Sequence, residues 1–175
     1  MFKKLLLSAA LAVSSIMPGQ ATTEYFAGHQ QLYGALVQAG LDVQINPKTC
    51  AEGSFDGFYQ PKTKLLVICQ DLGTPGGDEV RWTANDLDTL RHEAHHFVQD
   101  CVLGTNHDGQ LKVLYSDPAT VVQGELTRDQ IANIITTYRA NGATDLILVL
   151  ELEAFAVAQM NNPAEQVQDI KNYCL

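Results

Sequence analysis

Residues 92–96 read His-Glu-Ala-His-His, an H-E-x-x-H pentad. On a helix, His92 and His96 stand one turn apart on one face and can grip a single zinc ion through two imidazoles. Glu93 lies beside them, about 100° further round the helix. There it can hold and deprotonate a water on that metal. Zinc-assisted hydrolysis requires neutral nitrogen ligands, a nearby base and an open coordination position. The pentad supplies the first two.

The flanking residues give the motif a helical context. At about 100° per residue from His92, His96 falls near 40° and Gln99 about 20° to the other side. Leu87, Leu90, Ala94, Phe97, Val98 and Cys101 fall on the opposite side, between about 140° and 240°. The spacing predicts a helix with one packed face and one face free for metal and substrate. Thr83 or Asn85 caps its start and Gly104 ends it. His95 lies about 60° from His92, on the side away from His96, and reads as a cleft wall or a support rather than a ligand. His29 reads as a surface or packing histidine.

Zinc needs a third protein ligand if one position is to stay open for water. A metzincin-type extension would place glycine and a third histidine just after the pentad, and Phe-Val-Gln-Asp-Cys-Val at 97–102 has neither. His107 is in reach, but its Gly/Asn/Asp-rich surroundings predict an exposed loop. The segment Thr144 to Met160 is apolar on all sides and reads as a buried helix. Beyond Asp145 at its start, its acids are Glu151 and Glu153. A buried carboxylate is costly unless it pairs or binds metal. The two point about 160° apart, so only one can face the zinc. An ion pair with Arg91, Arg139 or the histidine cluster is the structural alternative for whichever acid faces the motif helix.

The elements that must position these residues are legible in outline. Thr23 to Ala39 is helical in pattern, with Gly40 as its stop. Leu41 to Ile45 alternates like a strand. Ser54 to Gln60 and Lys64 to Gln70 flank Gln60-Pro61-Lys62-Thr63 and read as a β-hairpin, with Leu65 to Ile68 its most buried strand. Residues 71–82 form a loop, and the pentad helix follows. Residues 104–126 read as loop with a short helix or strand near Leu111 to Tyr115. Thr127 and Gln130 make a capping box for a helix reaching Ala140. Asn162-Pro163-Ala164-Glu165 starts the last helix with a cap, an N1 proline and a capping-box Glu. The fold class is α+β.

Composition narrows the function further. Phe2-Lys3-Lys4, the apolar stretch Leu5 to Met17 and Gly19-Gln20-Ala21 read as a cleavable signal peptide over 1–21. Residues 22–175 then make a single domain. The apolar stretch is short for a membrane span, and no later segment reads as one, so the mature form has no stable membrane span. With 11 basic and 20 acidic residues, net charge −9, nucleic acid is not the expected partner. The chain is expected to be periplasmic or secreted. Four cysteines in an exported chain argue for two disulfides, and three pairings are possible. Cys50–Cys69, bracketing the hairpin, and Cys101–Cys174, tying the motif helix to the last helix, are preferred.

The order of these elements resembles that of gluzincin metallopeptidases. In that clan a second helix after H-E-x-x-H carries a glutamate ligand. In the prenyl-protein-peptidase-like branch this helix reads E-x-x-A-D, and here 151–158 reads Glu-Leu-Glu-Ala-Phe-Ala-Val-Ala. Aligning Ala154 with the motif alanine implies that Glu151 is the third ligand, beside His92 and His96. Phe155 then stands where the family has an aspartate that supports a ligand histidine, and Asp100 or Glu153 is left to substitute.

The resemblance implies a zincin-like fold: a small antiparallel sheet packed on the active-site helix, with a lower helical half. The small size is that of minigluzincins. It also implies an exported metallopeptidase in which Zn²⁺ activates water and Glu93 is the general base. The partner is then a peptide or protein substrate, lying along the edge strand of the 54–70 hairpin. Tyr115, Tyr138 and His107 are candidate oxyanion donors. The alternative is an exported zincin-fold protein that binds zinc without catalysis.

Overall fold

A computed structural model describes residues 23–53, 55–104, 107–160 and 162–175. The signal peptide read over 1–21 lies outside the described residues, as does Ser54 at the start of the expected hairpin. The chain order is α1 (Thr23–Gln38), β1 (Asp42–Ile45), β2 (Gly57–Gln60), β3 (Leu65–Ile68), α2 (Ala84–Cys101), α3 (Pro118–Glu125), α4 (Arg128–Ala140), α5 (Asp145–Met160) and α6 (Pro163–Tyr173). The α+β class expected above is what this order shows.

The sheet is mixed rather than antiparallel, in the order β1-β3-β2. β2 and β3 form the expected antiparallel hairpin, pairing Gly57 with Ile68 and Gln60 with Leu65. β1 runs parallel to β3, pairing Asp42 with Leu65 and Ile45 with Ile68. The physical reason is the order of insertion. The hairpin turns back and places β3 between β2 and β1, so β3 takes the direction of β1. Central placement explains the continuous apolar run Leu65-Leu66-Val67-Ile68, in which Leu66, Val67 and Ile68 are buried.

α2 starts on a capping box. The Thr83 hydroxyl accepts from the Asp86 N–H, and the Asp86 carboxylate accepts from the Thr83 N–H at 2.7 Å. The helix ends at Cys101, with Gly104 in the left-handed region just beyond, at φ 110°. α4 carries the Thr127–Gln130 capping box. α6 begins on Asn162 with Pro163 at N1, and the Asn162 side chain bonds Glu165.

The segment 104–126 departs from expectation. Among its described residues there is no helix or strand at 111–115. The helix is α3, capped by Asp117 with Pro118 in its first turn. The backbone at 112–115 is held instead by long-range bonds: Lys112 N–H donates to the Gln99 carbonyl, and the N–H groups of Leu114 and Tyr115 donate to Glu153.

Two apolar clusters hold the fold. The larger joins α1, β2, β3, α2 and α6 through Leu32, Leu36, Tyr59, Leu66, Ile68, Leu90, Phe97 and Ile170. The smaller joins α3, α4 and α5 through Val122, Leu126, Ile134, Tyr138, Leu148 and Ala156. α5 lies between them, packed on α2 and on α3. Both expected disulfides form. Cys50–Cys69 ties the turn after β1 to the end of β3, and Cys101–Cys174 ties the ends of α2 and α6. No helix among the described residues is long and apolar enough to cross a membrane.

Candidate metal centre

The apolar face of α2 packs as the periodicity predicts, with Leu90, Ala94, Phe97 and Val98 fully buried. Its motif face is not open, however. α5 covers it, and His92, Glu93, His96 and Gln99 are all 3% exposed or less. A single-chain pattern marks which face is polar but not what packs on it.

His92, His96 and Glu151 converge. The two Nε2 atoms lie 3.0 Å apart, and each lies 3.3 Å from an oxygen of Glu151. This is the one group of three or more His, Cys, Asp or Glu among the described residues that can hold a metal ion. Neither Glu151 oxygen has a hydrogen-bond partner, although the residue is completely buried. Buried polar atoms are nearly always satisfied, so two carboxylate oxygens without hydrogen bonds, facing two imidazoles, make a group that could hold a cation. Burial favours neutral forms at both ends, but the pairing wins. His96 is raised to about 9 by the Glu151 carboxylate, and Glu151 is lowered to about 2 by His96 and His92. Burial holds His92 below its ordinary value.

Glu93 sits beside this group, fully buried, with neither oxygen hydrogen-bonded. Burial, with the nearby Glu151 charge adding to it, pushes its carboxyl up to about 8. Strand β2, at the sheet edge, comes down next to it. A Cβ at Gly57 would lie 2.6 Å from Thr89 Cγ2, 2.7 Å from the Val67 carbonyl oxygen and 3.4 Å from Glu93 Cγ. Only glycine allows this approach of the edge strand to the motif helix.

Glu153, the other acid of α5, points away from the triad. Its carboxylate lies 2.8 Å from His95 Nε2 and accepts from Gln99 Nε2 and from the N–H groups of Leu114 and Tyr115. These donors outweigh burial and hold its carboxyl below the ordinary value. The histidine-cluster alternative therefore describes Glu153. Neither arginine is the partner: Arg91 bonds the Ala158 carbonyl, Asp88 and His29, and Arg139 bonds Asp145 and the Ala143 carbonyl. His29 is a packing histidine, buried against Arg91.

Support for the ligand histidines differs from expectation. Asp100 does not reach them. It accepts from the Tyr59 hydroxyl at 2.8 Å and lies 2.6 Å from His107 Nδ1. His107 is accordingly buried rather than exposed, stacked on Phe97 and remote in its bonding from the triad. His96 Nδ1 instead meets Gln99 Oε1 at 2.8 Å. Sequence periodicity placed Gln99 on the motif face without a role; its position three residues after His96 was the available signal. The Phe155 ring packs against His92 with centroids 4.4 Å apart, and His92 Nδ1 has no hydrogen-bond partner.

Of the three oxyanion candidates, Tyr138 is the one placed at the site. Its buried hydroxyl has no hydrogen-bond partner, and burial together with the Glu151 charge raises its pKa. Tyr115 stacks instead on His95, on the Glu153 side.

A family model described as a domain of unknown function, DUF8637, matches residues 21–175. No curated protein and no solved structure matches the chain.

Proposed function

The chain belongs to the DUF8637 family, and we propose from the site itself that it is an exported zinc metallopeptidase of gluzincin type. The observation that carries this reading is the convergence of His92, His96 and Glu151 beside an unpaired Glu93. Three ligands bonded tetrahedrally to zinc at about 2.0–2.2 Å stand about 3.3–3.6 Å apart. The ligand atoms here stand 3.0 to 3.3 Å apart. Two imidazoles and one carboxylate suit zinc in donor type as well.

When bound, zinc lowers the pKa of water and polarises a substrate carbonyl. The residues supply the rest. Glu93, beside the ligand group, takes a proton from the attacking water and passes it to the leaving amine nitrogen. The Tyr138 hydroxyl, which lies beside the Glu151 carboxylate, is the donor available to the developing oxyanion. The outer edge of β2 offers backbone groups to an extended peptide, and Gly57 brings that edge to Glu93. An edge strand over the motif helix, with the glutamate helix against its other side, supports a zincin-like fold. The two disulfides support export to a periplasmic or extracellular space.

Closure of the site favours a second reading. With ligands and base almost fully buried beneath Phe155 and Tyr138, the same centre suits an exported protein that holds zinc without catalysis.

The test is digestion of a mixed fluorogenic peptide pool by zinc-loaded protein, with and without chelator. Chelator-sensitive cleavage that Glu93→Gln abolishes, with zinc retained, is expected. Unchanged turnover in that variant overturns the mechanism. Stoichiometric zinc with no cleavage selects the second reading.

A further inference from the structure

The two ligand histidines are oriented by different means. The His92 ring rests on Phe155, and its Nδ1 is unpartnered. His96 Nδ1 lies 2.8 Å from Gln99 Oε1, and Gln99 is itself completely buried. The amide of Gln99 cannot be turned round. Its Nε2 lies 3.1 Å from the Leu150 carbonyl oxygen and 3.1 Å from Glu153 Oε1. A backbone carbonyl only accepts, so the NH₂ group must face α5 and the oxygen must face His96. An oxygen facing His96 Nδ1 requires that nitrogen to carry the hydrogen.

Glu153 is held just as firmly. Besides Gln99, it bonds His95 Nε2 at 2.8 Å, Leu114 N–H at 2.8 Å and Tyr115 N–H at 3.3 Å. Four nitrogen groups from α2 and the 112–115 segment thus fix one carboxylate, and that carboxylate fixes the amide. The third histidine of the pentad region gains a role here: His95 anchors Glu153 rather than the metal.

We infer that Gln99 and Glu153 form a positioning relay that locks His96 as its Nδ1–H tautomer and presents Nε2 to the metal. This rests on the metal-centre reading above. Neither residue is a ligand and neither touches substrate. The relay does the work that the family's aspartate, replaced here by Phe155, would do for a ligand histidine, but it serves the second histidine and runs through an amide.

Long-range ¹H–¹⁵N NMR of the histidine rings tests it in the full chain, metal-free and zinc-loaded. The expected signature is a slowly exchanging His96 Nδ1–H in both states, with zinc shifting His96 Nε2. His96 ligating through Nδ1, or carrying no protected Nδ1–H, overturns the relay even if zinc binds. A wild-type chain that takes no zinc but keeps the protected Nδ1–H refutes the metal reading and leaves the hydrogen-bonded relay standing. In Gln99→Met, the His96 Nδ1–H protection should vanish while the His92 signals stay, and zinc affinity by chelator competition should fall about 10–100-fold. A folded Gln99→Met protein with wild-type zinc affinity and an unchanged His96 spectrum also overturns it. If that variant does not fold, the wild-type spectra decide alone.

Discussion

Glu151 and Glu153 stand two residues apart on α5 and are both completely inaccessible, yet their surroundings are opposite. Glu153 faces four nitrogen groups, and both its oxygens are used. Glu151 faces two imidazoles at 3.3 Å, and both its oxygens lack hydrogen bonds. The first is satisfied by the chain. The second meets only the two imidazoles, at ion-pair distance and without a hydrogen bond. Both are removed from solvent, so the difference in donors separates a structural acid from one shaped to meet a cation.

The largest effect expected from this contrast is on metal affinity. Glu151→Ala leaves two histidines, and zinc affinity should fall by well over the about 100-fold that loss of a supporting residue costs. His92→Ala and His96→Ala should do the same. Glu153→Ala, measured on folded protein by chelator competition, should lose only about 10–100-fold. A larger loss in Glu153→Ala than in Glu151→Ala would reverse the assignment.

Stability of the metal-free chain should rank the two acids the other way. Glu153→Ala strands His95, Gln99 and two backbone N–H groups, and breaking such a buried pair costs about 3–5 kcal/mol. Glu151→Ala removes the carboxylate paired with His96 but strands no backbone N–H group, and should cost less. Urea denaturation in chelator reads this directly, and equal losses would erase the distinction.

The pH dependence of the metal-free chain is the next test. Folding raises Glu93 from 4.5 to about 8 and His96 from 6.5 to about 9. Both groups then bind a proton more tightly folded than unfolded, so stability falls as pH rises through these ranges. Glu151, lowered from 4.5 to about 2, acts in the opposite sense and loses its contribution only as pH falls towards 2. Metal-free stability should therefore peak on the acid side of neutrality. Glu93→Gln should flatten the decline between pH 4.5 and 8. An unchanged slope would remove Glu93 as its source.

The smallest effect is a control away from both acids. Thr127→Ala removes the cap of α4 and should cost about 1 kcal/mol. Zinc affinity should stay unchanged. A parallel drop in affinity would mean that stability alone, not the identity of the acid, drives the losses above.

Local physics was legible in the chain. The helix of the pentad, the caps at Thr127 and Asn162, the hairpin turn at Pro61–Thr63 and both cysteine pairs follow from short-range pattern or from the elements they bracket. The Asp117-Pro118 start of α3 carried the same cap-and-proline signature as Asn162-Pro163 but was hidden in a loop-rich segment. Long-range partners were not legible. The parallel pairing of β1 depends on where the hairpin inserts. The burial of His107 depends on Asp100 near the end of α2, one of the two acids, with Glu153, read as possible supports for a ligand histidine. Periodicity showed that Glu151 and Glu153 diverge; the choice of Glu151 came from the gluzincin resemblance, and the structure places that residue with the two histidines.

The most direct test is diffraction from zinc-soaked crystals at the zinc absorption edge. One anomalous peak is expected, bonded to His92 Nε2, His96 Nε2 and a Glu151 oxygen, with Glu93 adjacent and unbonded. No peak at that position, or a peak ligated by Glu153 or His95, would contradict that expectation.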